Sequence, residues 1–160
     1  MDVGNGAGGL TAAGVIRLLD LVPLLPEGGY VGETWRSEGS SAIYYLVERP
    51  DFSGLHRLAH VEVWAWHAGA PLAMLLVSPE GDVSEPVLGP GLQAGQRPQV
   101  VVPPGWWQAA EPLGDWSLVS TFMAPPYADD VITFADGEQL ATAHAAQPDH
   151  ADRIRRLSRR

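Results

Sequence analysis

The chain contains no cysteine and no lysine. The first absence removes disulfides, thiolate nucleophiles and zinc–thiolate sites. The second removes Schiff-base and lysine general-base chemistry. All ten basic residues are arginines, a sign of GC-rich codon usage that suggests a setting in secondary metabolism. No uncharged apolar run approaches the roughly 18 residues a membrane helix needs. Met1 to Gly9 also lacks the basic and apolar regions of a secretory signal. A cytoplasmic protein without membrane partners is expected. There is no Gly-x-Ser-x-Gly elbow, Walker loop or Rossmann glycine fingerprint, which argues against serine hydrolysis, nucleotide hydrolysis and dinucleotide oxidoreduction. The glycines from Gly4 to Gly9 lie too near the terminus to follow a strand.

Positive charge is scarce and unevenly placed. The formal charge is −9; residues 1–148 carry five arginines against seventeen acids, and 149–160 carry five arginines against two. The body therefore repels polyanions, and no nucleic-acid partner is expected. The run Arg153, Arg155, Arg156, Arg159 and Arg160 reads as a solvated basic tail over 148–160 with no function of its own.

What is present favours strands. A chain of 160 residues that is 46% hydrophobic can bury one sizeable core. Eighteen glycines and fourteen prolines suit short strands joined by tight turns better than a helical bundle. The reading is a flexible arm over 1–10, one domain over 11–147 and the tail. Thr11 caps a short helix whose Val15, Ile16, Leu18 and Leu19 share a face, and Pro23 ends it. Strands are expected at 30–36, 41–47, 55–58, 62–66, 72–77, 83–88, 99–102 and 117–122, with an extended 127–134 and a helix over 136–146. This spacing, with no βαβ alternation, suits a sandwich or barrel.

The stretch from His56 through Leu58, His60, Glu62 and Trp64 to Gly69 is the most informative. Alternate residues on a strand point the same way, so His56 and a glutamate beyond the bend can converge inside a barrel. The block Pro103-Pro104-Gly105-Trp106-Trp107-Gln108 follows later. The first stretch resembles the first cupin motif, with His56, Glu62 and Gly69 in place and Leu58 where a second histidine would stand. The second resembles the Pro-x-Gly-x-x-His motif, with Gln108 in place of histidine. Further blocks make the resemblance specific to the Cupin_5 (DUF985) family over about residues 11–135. These are Pro26 to Tyr30 with Glu33-Thr34 and Arg36-Ser37, then Ala42-Ile43-Tyr44, His56-Arg57 with Glu62 and Trp64, and Pro98 to Pro103 with Gly105, Trp107 and Gln108.

The resemblance implies an all-β cupin double-stranded β-helix, a jelly-roll barrel with a short N-terminal and a short C-terminal helix. It also implies a homodimer with a pocket inside the barrel. His56 and Glu62, at the positions that face this pocket, are the expected acid–base pair, with Tyr44 as a phenolic acid or donor. Glu33, Trp64, Trp66, Trp106 and Gln108 are the expected substrate-binding residues, although only one of Trp106 and Trp107 can face inward. His60, His67, His144 and His150 read as surface or loop histidines. The expected function is a cofactor-independent isomerisation, epimerisation, cyclisation or elimination of a small organic molecule. The alternatives are a metal-dependent enzyme, with His56, Glu62, Gln108 and His60 as ligands, and a non-catalytic binding module. A glutamine amide is a poor transition-metal ligand beside imidazole, which favours the metal-free case.

Overall fold

The computed structural model describes residues 9–159. Of the arm expected over 1–10, only residues 9 and 10 fall in this range, and both are exposed. The helix α1 (Ala12–Leu18) starts where Thr11 accepts a hydrogen bond from the Gly14 N–H. It stops ahead of Pro23, at Asp20, whose left-handed backbone (φ 52°) lets Leu21 N–H bond back to Ile16. Its buried face carries Ala12 and Val15 with Ile16 and Leu19 beside them. Leu18, expected on that face, points outward and is 66% exposed.

Strands β1 (Val22–Pro23), β2 (Tyr30–Arg36), β3 (Ser41–Glu48), β4 (Ser53–Leu58), β5 (Glu62–Gly69) and β6 (Leu72–Val77) follow. The short β7 (Val83–Ser84) and β8 (Val87–Leu88) replace the single strand expected at 83–88. Pro86, which lacks an N–H for the ladder, separates them. Then come β9 (Gln99–Val102), β10 (Trp107–Pro112), β11 (Trp116–Met123) and β12 (Ile132–Phe134), and the helices α2 (Gly137–Ala143) and α3 (Pro148–Arg156). The strands form two antiparallel sheets. One runs β1-β2-β3-β11-β5-β9, the other β12-β4-β10-β6-β7 with β8 beside β6. No helix among the described residues is long and apolar enough to cross a membrane.

Side-chain alternation divides the apolar residues into three cores. Tyr45, Val47, Trp64, Met74, Leu76, Val102, Ala110 and Val119 face inward between the sheets. On the outer face of the first sheet, Leu46 and Leu118 receive α1. On the outer face of the second, Leu55, Leu75, Val77 and Ala109 receive Ala141 of α2 and Ala151, Ile154 and Leu157 at and beyond α3. Gly69 closes the β5–β6 hairpin with φ 80°, and a Cβ there would lie 2.4 Å from the Trp116 carbonyl oxygen, so only glycine fits.

Residues 148–159 are not the solvated tail that their charge suggested; Arg160 lies outside the described residues. They form a helix and its C-terminal extension. Ala151, Ile154 and Leu157, three apart, make a buried stripe among the arginines. Leu55 N–H donates to the Leu157 carbonyl at 2.7 Å. Arg156 makes a two-pronged ion pair with Glu111 at 2.6 and 2.7 Å, and Arg153 pairs with Glu85. Arg159 stacks its guanidinium 3.9 Å over the Phe52 ring and bonds to Asp51 and to the Phe52 and Glu27 carbonyls. Burial pushes the Asp51 carboxyl up, but hydrogen bonds from Arg159, Gly29 and Phe52 outweigh it and hold its pKa below the ordinary value. Glu111 is lowered by its bond to Arg156, against the upward push of burial. His144 is likewise not a surface residue: only 8% exposed, its ring lies between the Leu140 and Gly81 carbonyls at 2.9 and 3.0 Å.

Candidate active site

Between the sheets lies a cavity of about 480 Å³, within the range that holds small organic ligands. Its walls are apolar: Val22 and Val31 from β1 and β2, Ile43 from β3, Leu58 from β4, Met123 from β11 and Ile132 from β12. His56, Glu62, Trp64, Tyr45, Thr121 and Glu27 add polar atoms, and Asp20, Glu33, Arg36 and Tyr127 also line it.

The cavity-facing polar groups come from both sheets. His56 lies on β4 opposite Gln108 of β10, while Glu62 begins β5 opposite Met123 of β11. All three are buried: His56 is 2% exposed, Glu62 6% and Gln108 1%. The Gln108 amide nitrogen donates to Glu62 Oε2 at 2.7 Å. The Trp64 indole N–H is shared between that same oxygen, at 3.1 Å, and Gln108 Oε1, at 3.0 Å. Glu62, Trp64 and Gln108 thus form a closed triangle that uses the indole N–H and one N–H of the Gln108 amide. Only one orientation of the Gln108 amide satisfies both partners. Trp64 also packs edge-on against Tyr45, with ring centroids 5.9 Å apart.

Burial raises the Glu62 pKa, because removing a carboxylate from water disfavours its charged form. His56 opposes this shift, Glu27 adds to it, and hydrogen bonds with Thr121 and Gln108 lower it. His56 Nδ1 lies 2.7 Å from the Gly54 carbonyl. A carbonyl only accepts, so Nδ1 carries the proton, and Nε2 is left to exchange protons with the cavity. The Tyr45 hydroxyl donates to the Gly28 carbonyl at 2.8 Å, and burial, with Glu27 adding, raises its pKa well above the ordinary value. The site therefore presents a carboxyl that retains its proton more readily than usual, beside an imidazole of fixed tautomer.

The expected site residues separate into two groups. His56, Glu62, Glu33 and Trp64 line the cavity, and Gln108 stands directly behind Glu62. Tyr44 does not line it: it points to the other face of β3, into the cluster under α1 and against His67. Of this adjacent pair it is Tyr45 that faces the cavity, because adjacent strand residues face opposite ways. Trp66 and Trp106 pack against the interior core without lining the cavity, and the Trp66 indole N–H donates to Ala70 O at 3.1 Å. Trp107 faces outward beneath Arg57, 4.7 Å from its ring. Glu33 lies at the partly exposed rim, paired with Arg36 at 2.7 Å. Thr121 and Glu27 were missed by the sequence reading. Thr121 shares the inward side of β11 with Val119 and Met123, two residues away on either side, a signal that alternation carries. Glu27 lies in a turn, where no periodicity applies.

A metal is a fair question in a barrel with these motifs. One imidazole and one carboxylate face the cavity at the motif positions, Leu58 contributes a hydrocarbon, and Gln108 has both ends of its amide engaged by Trp64 and Glu62. His60 lies in the bend before β5. Among the described residues no group of three or more histidine, cysteine or acidic side chains converges on a common point. This donor set does not fit a tightly held transition metal.

Two antiparallel sheets closed over a cavity, with a histidine and a glutamate inside, define a barrel of the cupin class. The chain matches the Cupin_5 family, described as Cupin superfamily (DUF985), over residues 13–135, and belongs to it. It is similar to protein SO0799 from Shewanella oneidensis, at 33% identity over 93% of this chain and 98% of that one, with a TM-score of 0.84. It is also similar to a hypothetical protein from Leishmania major, at 25% identity over 93% of this chain and 99% of that one, with a TM-score of 0.83. Oxalate decarboxylase from Bacillus subtilis shares the fold at 17% identity and a TM-score of 0.59, over 88% of this chain and 38% of that one. No curated protein matches the chain.

Proposed function

We propose that this cupin binds a small organic molecule in the barrel cavity and transforms it by proton transfer, with neither a metal nor a redox cofactor. Isomerisation, epimerisation, cyclisation and elimination all need a group that takes a proton from carbon or oxygen and a group that returns one. His56 Nε2 and the Glu62 carboxyl fit these two roles. Burial of Glu62 beside His56, in a largely apolar cavity, carries the proposal, because such surroundings tune acid–base groups away from their solution behaviour. The fold leaves the choice among these reactions open.

The test is a screen of small metabolites with turnover followed by mass spectrometry and NMR. For any substrate found, His56→Gln should lower kcat by about 10²–10⁴-fold while binding persists. Undiminished turnover in that variant would remove the acid–base assignment. Ligand binding without turnover in the wild type would leave a non-catalytic binding module.

The homodimer is proposed on a separate observation. Across the outer face of the first sheet, Trp35, Ala42, Phe122, Val63 and Val101 align in register on five adjacent strands. Trp35, Phe122 and Val101 are 57%, 45% and 52% exposed. A row of this kind suits a second copy of the same face across a two-fold axis. Phe122→Asp is expected to convert a dimer to a monomer by light scattering. A wild-type monomer, or a variant that remains dimeric, would refute this arrangement.

A further inference from the structure

We infer that the cavity selects a cationic ligand, an ammonium group carried on a compact apolar body; this rests on the proposal that the cavity is the ligand site. The basis is an account of its donors. The Tyr45 hydroxyl is spent on Gly28 O and the Ser53 hydroxyl on Glu27 Oε1, at 2.8 and 2.7 Å. The Trp64 indole N–H is spent on Glu62 and Gln108 Oε1, one Gln108 N–H on Glu62, and His56 Nδ1–H on Gly54 O. Arg36, the one arginine on the lining, is engaged by Glu33 and by the Tyr127 carbonyl at 2.9 Å.

Acceptors remain. Glu27 keeps its second oxygen, His56 keeps Nε2 and the Tyr45 oxygen keeps a lone pair. His56, 98% hidden from solvent, has no partner on Nε2 among the described residues. Asp20, Glu27, Glu33 and Glu62 set four carboxyl groups around the lining against the single guanidinium of Arg36. An anionic ligand would meet like charge, with the Arg36 guanidinium already paired to Glu33. An ammonium supplies three donors and the opposite charge, in surroundings of low dielectric where such charges interact strongly. Val31, Ile43, Met123 and Ile132 would cover its apolar body.

Phenethylamine, phenethyl alcohol and phenylacetate share one apolar body and differ in charge, so calorimetric titration of the full chain near neutral pH separates the cases. The amine should bind at least about tenfold more tightly than the alcohol, a difference of about 1.4 kcal/mol, with the acid weakest. Glu27→Gln should cut the amine's advantage by about tenfold, while its melting temperature shows that the fold is kept. Phenylacetate binding as tightly as the amine would overturn the charge assignment and leave the cavity as a ligand site. An alcohol as tight as the amine, or no binding by any of the three at millimolar concentration, would also overturn it, with the His56→Gln test still standing. Amine binding unchanged in Met123→Trp, which fills the cavity, would place the ligand elsewhere and remove the site proposal as well.

Discussion

Glu62→Gln is expected to lower turnover by about 10²–10⁴-fold and, at the same time, to make the protein more stable at neutral pH. The two effects share one cause. Burial raises the Glu62 pKa in the folded state, so the folded protein holds this proton to higher pH than the unfolded chain does. Stability from this group is fully present below the ordinary glutamate value of 4.5. It is lost as pH climbs from there through the raised folded value. Glutamine carries no charge to desolvate, and its carbonyl can still accept from Trp64 and Gln108. The variant should therefore lose this component of the pH dependence. A gain of about 1 kcal/mol would appear as a rise of about 2–4 °C in melting temperature for a chain of this size. Thermal melts of both proteins across the acid-to-neutral range check it. A variant that is less stable than wild type at neutral pH would show that Glu62 is a structural anion.

Loss of the C-terminal helix should be the most damaging change to the fold. Removing residues 148–160 uncovers Leu55, Leu75 and Ala109 on the second sheet and leaves Glu111 and Asp51 without the arginines that hold their pKa values down. Ile154→Ala alone should cost about 2–5 kcal/mol of a total of about 5–15 kcal/mol, and the truncated chain is expected to show no cooperative melt by circular dichroism. The pH dependence here has the opposite sign to that of Glu62. Asp51 and Glu111 have lowered folded pKa values, so they stabilise the protein above the ordinary carboxylate range and cease to do so as pH falls through the folded values. Acidification should therefore weaken the α3 contact first. A truncated protein that melts like the full chain would refute the structural role of α3.

The helix was hidden in the sequence because five arginines dominate 149–160 and three apolar positions, Ala151, Ile154 and Leu157, carry the buried stripe. A charge count describes the solvent face and overlooks a stripe this narrow. Strand β10 escaped for a related reason. Its Gln108, Ala109, Ala110 and Glu111 have low strand propensity, and the strand is held between β4 and β6 by pairing on both edges. Tertiary placement, which the local sequence does not express, makes it a strand. By contrast, the β-branched and aromatic runs of β2, β3 and β11 and the apolar run of β6 declare themselves, and their order is that of the barrel.

For the site, motif spacing placed His56 and Glu62 together, and alternation correctly turns Trp64 with Glu62. Alternation needs an anchor, however, and within Ile43-Tyr44-Tyr45 a one-residue error exchanges the cavity for the outer face. Tyr45 joins Ile43 and Val47 on the inner side, while Tyr44 joins Leu46 beneath α1. Gln108 holds Glu62 instead of reaching the cavity itself, a role set by a cross-sheet contact with no sequence signal.

The most direct measurement is a titration of the Glu62 side-chain carboxyl by carbon NMR, with the resonance assigned through its loss in Glu62→Gln. The account predicts a midpoint above 4.5, moved further up by substitution of His56 and back towards 4.5 by Glu27→Gln. A midpoint at or below that value, unaffected by either substitution, would contradict a buried acid coupled to His56 and remove the basis for proton-transfer chemistry in this barrel.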